Sequence, residues 1–138
     1  MAGACIGPGQ YQDFGRAPCF IGEWVGGMTV RAEEIAAVFT KAGLETSASA
    51  DIKVDIWRKL LGNMAMSAAA GVTNLTSAEV LMIEPLRDVC FTALDEAISI
   101  AHSQNIELDR SEVLKGFEIM TAAGGSGENK PSLCLDIL

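Results

Sequence analysis

Aromatic residues make up only 6% of this 138-residue chain, and it holds one histidine, His102. A core must therefore be packed from Ala, Leu, Ile, Val and Met, which suits helix against helix. With 49% hydrophobic and 20% charged residues the composition is globular and not disordered. Positive charge is also scarce. The net charge of −8 argues against a nucleic-acid backbone as partner and otherwise speaks only for solubility. No apolar run approaches a membrane span and no signal peptide precedes the fold, so neither a membrane nor export is expected. The four cysteines, Cys5, Cys19, Cys90 and Cys134, never fall at a CxxC spacing. They make no zinc cluster and read as small structural hydrophobes in a reducing compartment. Internal repeats and low-complexity segments are absent too. The length allows one ordinary core, or one and a half small ones.

What is present begins with two short apolar runs, Ala4–Ile6 and Pro18–Gly22, separated by a Gly-rich region with Tyr11 and Phe14. Two strands joined by a turn region are expected there. Gly7-Pro8-Gly9 is no phosphate loop, because the third glycine is missing and Pro8 removes a backbone donor. The pattern predicts a helix over Thr29–Ala42, capped by Thr29, stopped by Gly43 and burying Ile35, Val38 and Phe39. Leu44–Ala48 alternates weakly and reads as a third strand. Strand, helix, strand suggests the tail of an α/β sheet, too small to close alone and in need of further protein to cover it.

The stretch from Asp51 to Val72 organises the chain. Ile52, Ile56, Trp57, Leu60, Leu61, Met64 and Ala68 recur at helical spacing, with Asp51 as N-cap and Gly71 as stop. Lys59, Asn63 and Ser67 recur every fourth residue and share one face. An ammonium held there against apolar surface would serve as a proton donor. On spacing alone a solvent-facing polar stripe is the commoner outcome. Further helices are expected from the capping box Thr76/Glu79, from Pro85 to Ser103, and from Asp109, which repeats the box with Glu112. Leu86, Val89, Cys90, Ala93, Leu94, Ala97, Ile98 and Ala101 form one stripe, and Val113, Phe117 and Met120 another. Glu96 takes no chemistry, and His102 reads as a helix-dipole partner. Thr121–Lys130 is a Gly-rich loop, and Pro131 opens a last helix.

Ile56-Trp57-Arg58-Lys59-Leu60-Leu61-Gly62-Asn63 resembles the Trp-x-Lys-Leu-x-x-Asn stretch that opens the helical domain of ketopantoate reductases (2-dehydropantoate 2-reductases). Ile6–Gly22 looks like the antiparallel strands ending that family's nucleotide domain, and Thr29–Ala48 like its last helix and strand. Pro131–Ile137 is similar to its Ser-Met-Leu-Gln-Asp-Ile segment. The resemblance implies a mainly α fold: a 6-phosphogluconate dehydrogenase-like helical domain preceded by the last β-α-β elements of a Rossmann-type α/β domain. Residues 1–50 would end an incomplete nucleotide-binding domain, and residues 51–138 would be a truncated helical substrate-binding and dimerisation domain. It further implies NADP-dependent reduction of a small 2-oxo acid, ketopantoate, to pantoate for pantothenate and CoA biosynthesis, by a cytoplasmic homo-oligomer.

By the same resemblance Lys59 is the general acid, and Asn63, Ser67, Asn129 and Ser132 contact substrate. Ser67 stands where the family usually has a second Asn, and Leu135 where it has a polar residue. The family's Gly-rich dinucleotide units are not in this sequence, and its catalytic Glu would lie past Leu138, so the chain alone is expected to be inactive. The competing readings are a non-catalytic helical dimerisation module and a related 2-hydroxy acid dehydrogenase.

Overall fold

The computed structural model describes residues 2–15, 18–123 and 125–137; the side chains of residues 2–4, 13–15, 126 and 135–137 lie outside that description. The chain divides into two compact units, Met1–Asp55 and Ile56–Leu138.

In the first unit, β1 (Ala2–Gly7) and β2 (Gln10–Gly15) pair as an antiparallel hairpin. The return strand is thus Gln10–Gly15 and not the expected Pro18–Gly22. Gly9 has φ +70°, so the two-residue link reverses the chain at once and the nearest segment pairs first. β3 (Cys19–Gly22) instead pairs in parallel with β4 (Thr46–Ser49), Cys19 opposite Thr46 and Gly22 opposite Ser49. Parallel strands need a crossover, which α1 (Val30–Lys41) supplies. A Cβ on Gly22 would lie 2.7 Å from the Ser49 carbonyl oxygen and 2.9 Å from Ile52 Cβ, so only glycine lets the strand ends approach this closely.

The ends of α1 follow its sequence. Thr29 Oγ1 accepts from the Ala32 N–H at 3.2 Å, and Gly43 has φ +90° just past the last turn. The Thr40 hydroxyl donates to the Thr46 carbonyl at 3.0 Å and accepts from the Thr46 N–H at 3.1 Å, tying α1 to β4. The buried face corrects the expectation. Ala32 and Ala36 are inside, while Ile35, Val38 and Phe39 are exposed. Small residues let helix and sheet approach closely. The larger stripe faces away and is not covered by the described residues of this unit, as the smallness of the sheet suggested.

α2 (Ile52–Thr73) crosses the division between the units. Asp51 Oδ1 accepts from the Val54 N–H at 3.4 Å. The helix runs past Gly71 and ends where Asn74 takes φ +56°. Asn tolerates the left-handed region better than other side-chain-bearing residues, so it replaces the expected glycine stop. Within the second unit α2 buries Leu61, Ala65, Met66 and Ala70, whereas Ile56, Leu60, Met64 and Ala68, expected inside, are exposed. Leu61, expected inside, is buried, and Ala65, Met66 and Ala70 take the other core positions. Gly62 faces the Phe117 ring, and a Cβ there would meet it at 3.8 Å, in ordinary contact.

The remaining elements are α3 (Ser77–Met82), α4 (Glu84–Ser103), α5 (Arg110–Thr121), a 3-10 turn (Ser126–Glu128) and α6 (Ser132–Ile137). Pro85 sits in the first turn of α4 as expected. Cys90, Leu94, Ala97, Ile98 and Ala101 are buried, and Val89 of the same stripe is exposed. Val113 and Phe117 complete the core from α5. Asp109 caps α5, but Glu112 does not close a box. Its carboxylate pairs with Arg58 at 2.8 Å, a long-range partner that local spacing does not reveal. His102 Nε2 lies 3.1 Å from the Leu108 carbonyl and 3.3 Å from its N–H, so its ring engages the turn after α4.

The Thr76/Glu79 capping box is complete. The Thr76 N–H, then the Thr76 hydroxyl, hold the Glu79 carboxyl below its ordinary range, and the Lys130 charge adds to this. A carboxyl depressed in the folded state contributes stability above its unfolded pKa, and that contribution is lost as pH falls through the folded value. Thr76→Ala is expected to raise the Glu79 midpoint in a carboxyl NMR titration and to cost about 1 kcal/mol of stability. The Thr76 N–H survives the substitution, so the midpoint should move only part of the way back, and unchanged stability contradicts the hydroxyl half of the box.

Candidate functional site

α2 sets Lys59, Asn63 and Ser67 in one file, each about 6 Å along the axis from the last. Lys59 and Asn63 are exposed and Ser67 is half-buried. Exposed Ile56, Leu60 and Met64 border the file. The ammonium expected to be pinned in an apolar groove is therefore on the open side of the helix. The reason is the choice of buried stripe: with Leu61, Ala65, Met66 and Ala70 inside, the file and its apolar border turn outward together. An amine donor, a carboxamide and a hydroxyl in line suit an anionic, carbonyl-bearing small molecule.

Asn129 and Ser132 are both exposed. The segment that carries them is held at the carboxyl end of α2. Lys130 Nζ donates to Asn74 Oδ1 at 2.7 Å, and Cys134 Sγ lies 4.0 Å from the Leu75 carbonyl. The Cys134 N–H donates to the Pro131 carbonyl at 2.9 Å, closing the first turn of α6. Measured along α2 from Asn74, Ser67 is about 10 Å back and Lys59 about 22 Å. The loop is thus anchored at the Ser67 end of the file and not at the Lys59 end. The side chains of Leu135 and Asp136 lie outside the described residues.

Sequence reading missed Lys130 and Asn74. The signal for Asn74 was present, an asparagine directly after the last helical residue; the pairing with Lys130, 56 positions away, had none. An open cleft lined by Thr76, Leu81, Met82, Thr121 and Glu128 contains none of the sequence-expected site residues. Cys90 and Cys134 are buried as expected, and burial pushes the Cys90 thiol up; Cys5, on the β1–β2 hairpin, is exposed, which corrects the expectation for it. Among the described residues no cluster suited to a metal ion occurs, and no helix is long and apolar enough to cross a membrane.

The turn after β3 leads into α1 as a phosphate-binding turn does in parallel α/β units. In this turn the Glu23 carboxylate is taken up by side chains. Its Oε1 accepts from the Thr29 hydroxyl and from Arg31 Nε, both at 3.0 Å, and Arg31 also pairs with Oε2 at 2.5 Å. Arg31, then Thr29, hold the Glu23 carboxyl below its ordinary range. The Arg31 guanidinium and the Thr29 hydroxyl are thus committed to Glu23 and not to a pyrophosphate.

A β-α-β unit followed by a helical unit is the architecture of the carboxyl-terminal part of ketopantoate reductase-like proteins. The family model "Ketopantoate reductase PanE/ApbA C terminal" matches residues 51–138, and the chain belongs to that family. A 2-dehydropantoate 2-reductase of Mesorhizobium japonicum is 31% identical over 121 residues, 85% of this chain and 35% of that protein. Among solved structures, a PanE/ApbA family ketopantoate reductase from Ralstonia eutropha JMP134 shares the fold with a TM-score of 0.79 at 23% identity, covering 98% of this chain and 43% of that one. A D-mandelate dehydrogenase solved with NADH and anilino(oxo)acetate gives 0.87 at 25% identity, covering 96% and 43%. The chain spans 42% of the length of other curated 2-dehydropantoate 2-reductases that it matches.

Proposed function

We propose that this chain supplies the substrate-binding, helical part of an NADP-dependent 2-dehydropantoate 2-reductase. The observation that carries the reading is the outward-facing file Lys59–Asn63–Ser67 with its apolar border. Reducing a 2-oxo acid takes a hydride at carbon and a proton at oxygen, and this chain's residues serve the second. Lys59 stabilises the alkoxide that builds on the carbonyl oxygen and gives it a proton. Asn63 donates to the substrate, and Ser67, Asn129 and Ser132 grip its hydroxyl and carboxylate. Residues 1–50 end a nucleotide-binding domain, and the dinucleotide is held outside these 138 residues. Residues 51–138 bind substrate and dimerise in the cytoplasm. A homo-oligomer belongs to this reading; a stable monomer in sedimentation counts against it.

The purified chain, mixed with NADPH and ketopantoate, is expected to give no turnover above background. Robust NADPH oxidation by the chain alone contradicts this division of labour. D-mandelate dehydrogenase belongs to the same structural neighbourhood, but the family model and the curated relatives favour ketopantoate. Substrate profiling with ketopantoate and with benzoylformate, the 2-oxo acid that corresponds to mandelate, with a relative's nucleotide-binding domain fused ahead of Met1, separates the two.

A further inference from the structure

We infer that Lys130 is a positioning residue: by clasping Asn74 it fixes the Asn129–Ser132 segment against the end of α2. The inference rests on the proposed roles of Asn129 and Ser132 as substrate contacts. Lys130 stands between those two residues, and its ammonium donates to Asn74 Oδ1 at 2.7 Å. Asn74 is the residue that stops α2, with φ +56°. The stop and the clasp are therefore the same side chain. On the other side of Ser132, Cys134 is buried and its thiol faces the carbonyl of Leu75, the next residue after Asn74. Ser132 is thus bracketed by two tethers to consecutive residues at the end of α2.

The Lys130 charge also reaches the Glu79 carboxyl, which the Thr76 cap fixes in place. The hydrogen bond of that ammonium joins two elements, the end of α2 and the loop before α6. Without the clasp Asn129 and Ser132 sit on a glycine-rich connection, and ordering it on binding costs conformational entropy. With the clasp that cost is met on folding. Lys130 need not touch substrate to act in this way.

The test uses the 138-residue chain, with 15N relaxation of residues 129–133 and ketopantoate titrated by NMR. In Lys130→Ala the segment is expected to gain fast motion, and ketopantoate to bind about three- to tenfold more weakly, what one hydrogen bond of ordinary net strength converts to. Asn74→Gly keeps the left-handed backbone and the Lys130 charge but removes the acceptor. A clasp makes it match Lys130→Ala; a purely electrostatic role for Lys130 leaves it silent and overturns the proposal. Lys130→Arg restores order and affinity, and the double variant is no worse than either single one. Unchanged order and affinity in Lys130→Ala also overturn it. If Ser132→Ala and Asn63→Ala leave ketopantoate binding unaltered, the site reading fails instead, while the relaxation data still decide whether the clasp exists.

Discussion

Lys59→Met is expected to lower kcat for ketopantoate a hundred- to ten-thousand-fold, about what loss of a positioned general acid costs, with KM changed only a few-fold. The assay needs a relative's nucleotide-binding domain fused ahead of Met1. Methionine keeps the length and apolar stem of lysine and removes only the ammonium, so helix α2 and its buried stripe of Leu61, Ala65, Met66 and Ala70 should be undisturbed. Lys59→Arg keeps the charge but not a transferable proton, because guanidinium does not give one up at accessible pH. It should therefore recover little of kcat. A Lys59→Met enzyme within threefold of the parent would remove Lys59 from the chemistry.

Leu94→Ala is expected to destabilise the helical unit by about 2–5 kcal/mol. Leu94 has no exposed surface and sits on α4 among Cys90, Ala97, Ile98 and Ala101. Truncation removes three buried carbons and leaves a cavity, and both terms add to the cost. Chemical denaturation followed by far-ultraviolet circular dichroism reads it, as a lower midpoint with little change in slope. Val89→Ala, on the exposed side of the same helix, serves as the contrast and should stay within about 0.5 kcal/mol. Equal losses for the two would mean that α4 presents a different face to the core.

Where the helices begin was legible, because caps are local chemistry. Thr29, Thr76 with Glu79, Pro85 and Asp109 each act within a few residues of themselves. Which face each helix buries was less so. On α1 and α2 the larger apolar residues, Val38 and Phe39 or Leu60 and Met64, were expected inside and are exposed. A periodic pattern shows that a stripe wants covering; it does not show whether the cover lies in the same chain. Alanine stripes carry little hydrophobicity per residue and are easily overlooked, yet close approach selects them. The strand pairing failed for another reason. Gly7-Pro8-Gly9 marks a reversal but does not name the partner, and the return strand Gln10–Gly15 is too polar to declare itself.

The candidate site divides in the same way. Lys59, Asn63 and Ser67 follow from a four-residue spacing on an uninterrupted helix, so their alignment was legible. Their exposure was not, since it depends on the choice of buried stripe. The tie between Lys130 and Asn74, and that between Arg58 and Glu112, join segments more than fifty positions apart. No local pattern encodes such contacts.

The most direct measurement is a two-dimensional NMR titration of the isotope-labelled chain with ketopantoate. A site on the outer face of α2 predicts that shifts and line broadening concentrate at Lys59–Ser67 and at Asn129–Ser132, with the Asn63 carboxamide among the largest. Perturbation confined to the cleft around Met82 and Thr121, or signals unchanged at saturating ketopantoate, would contradict it.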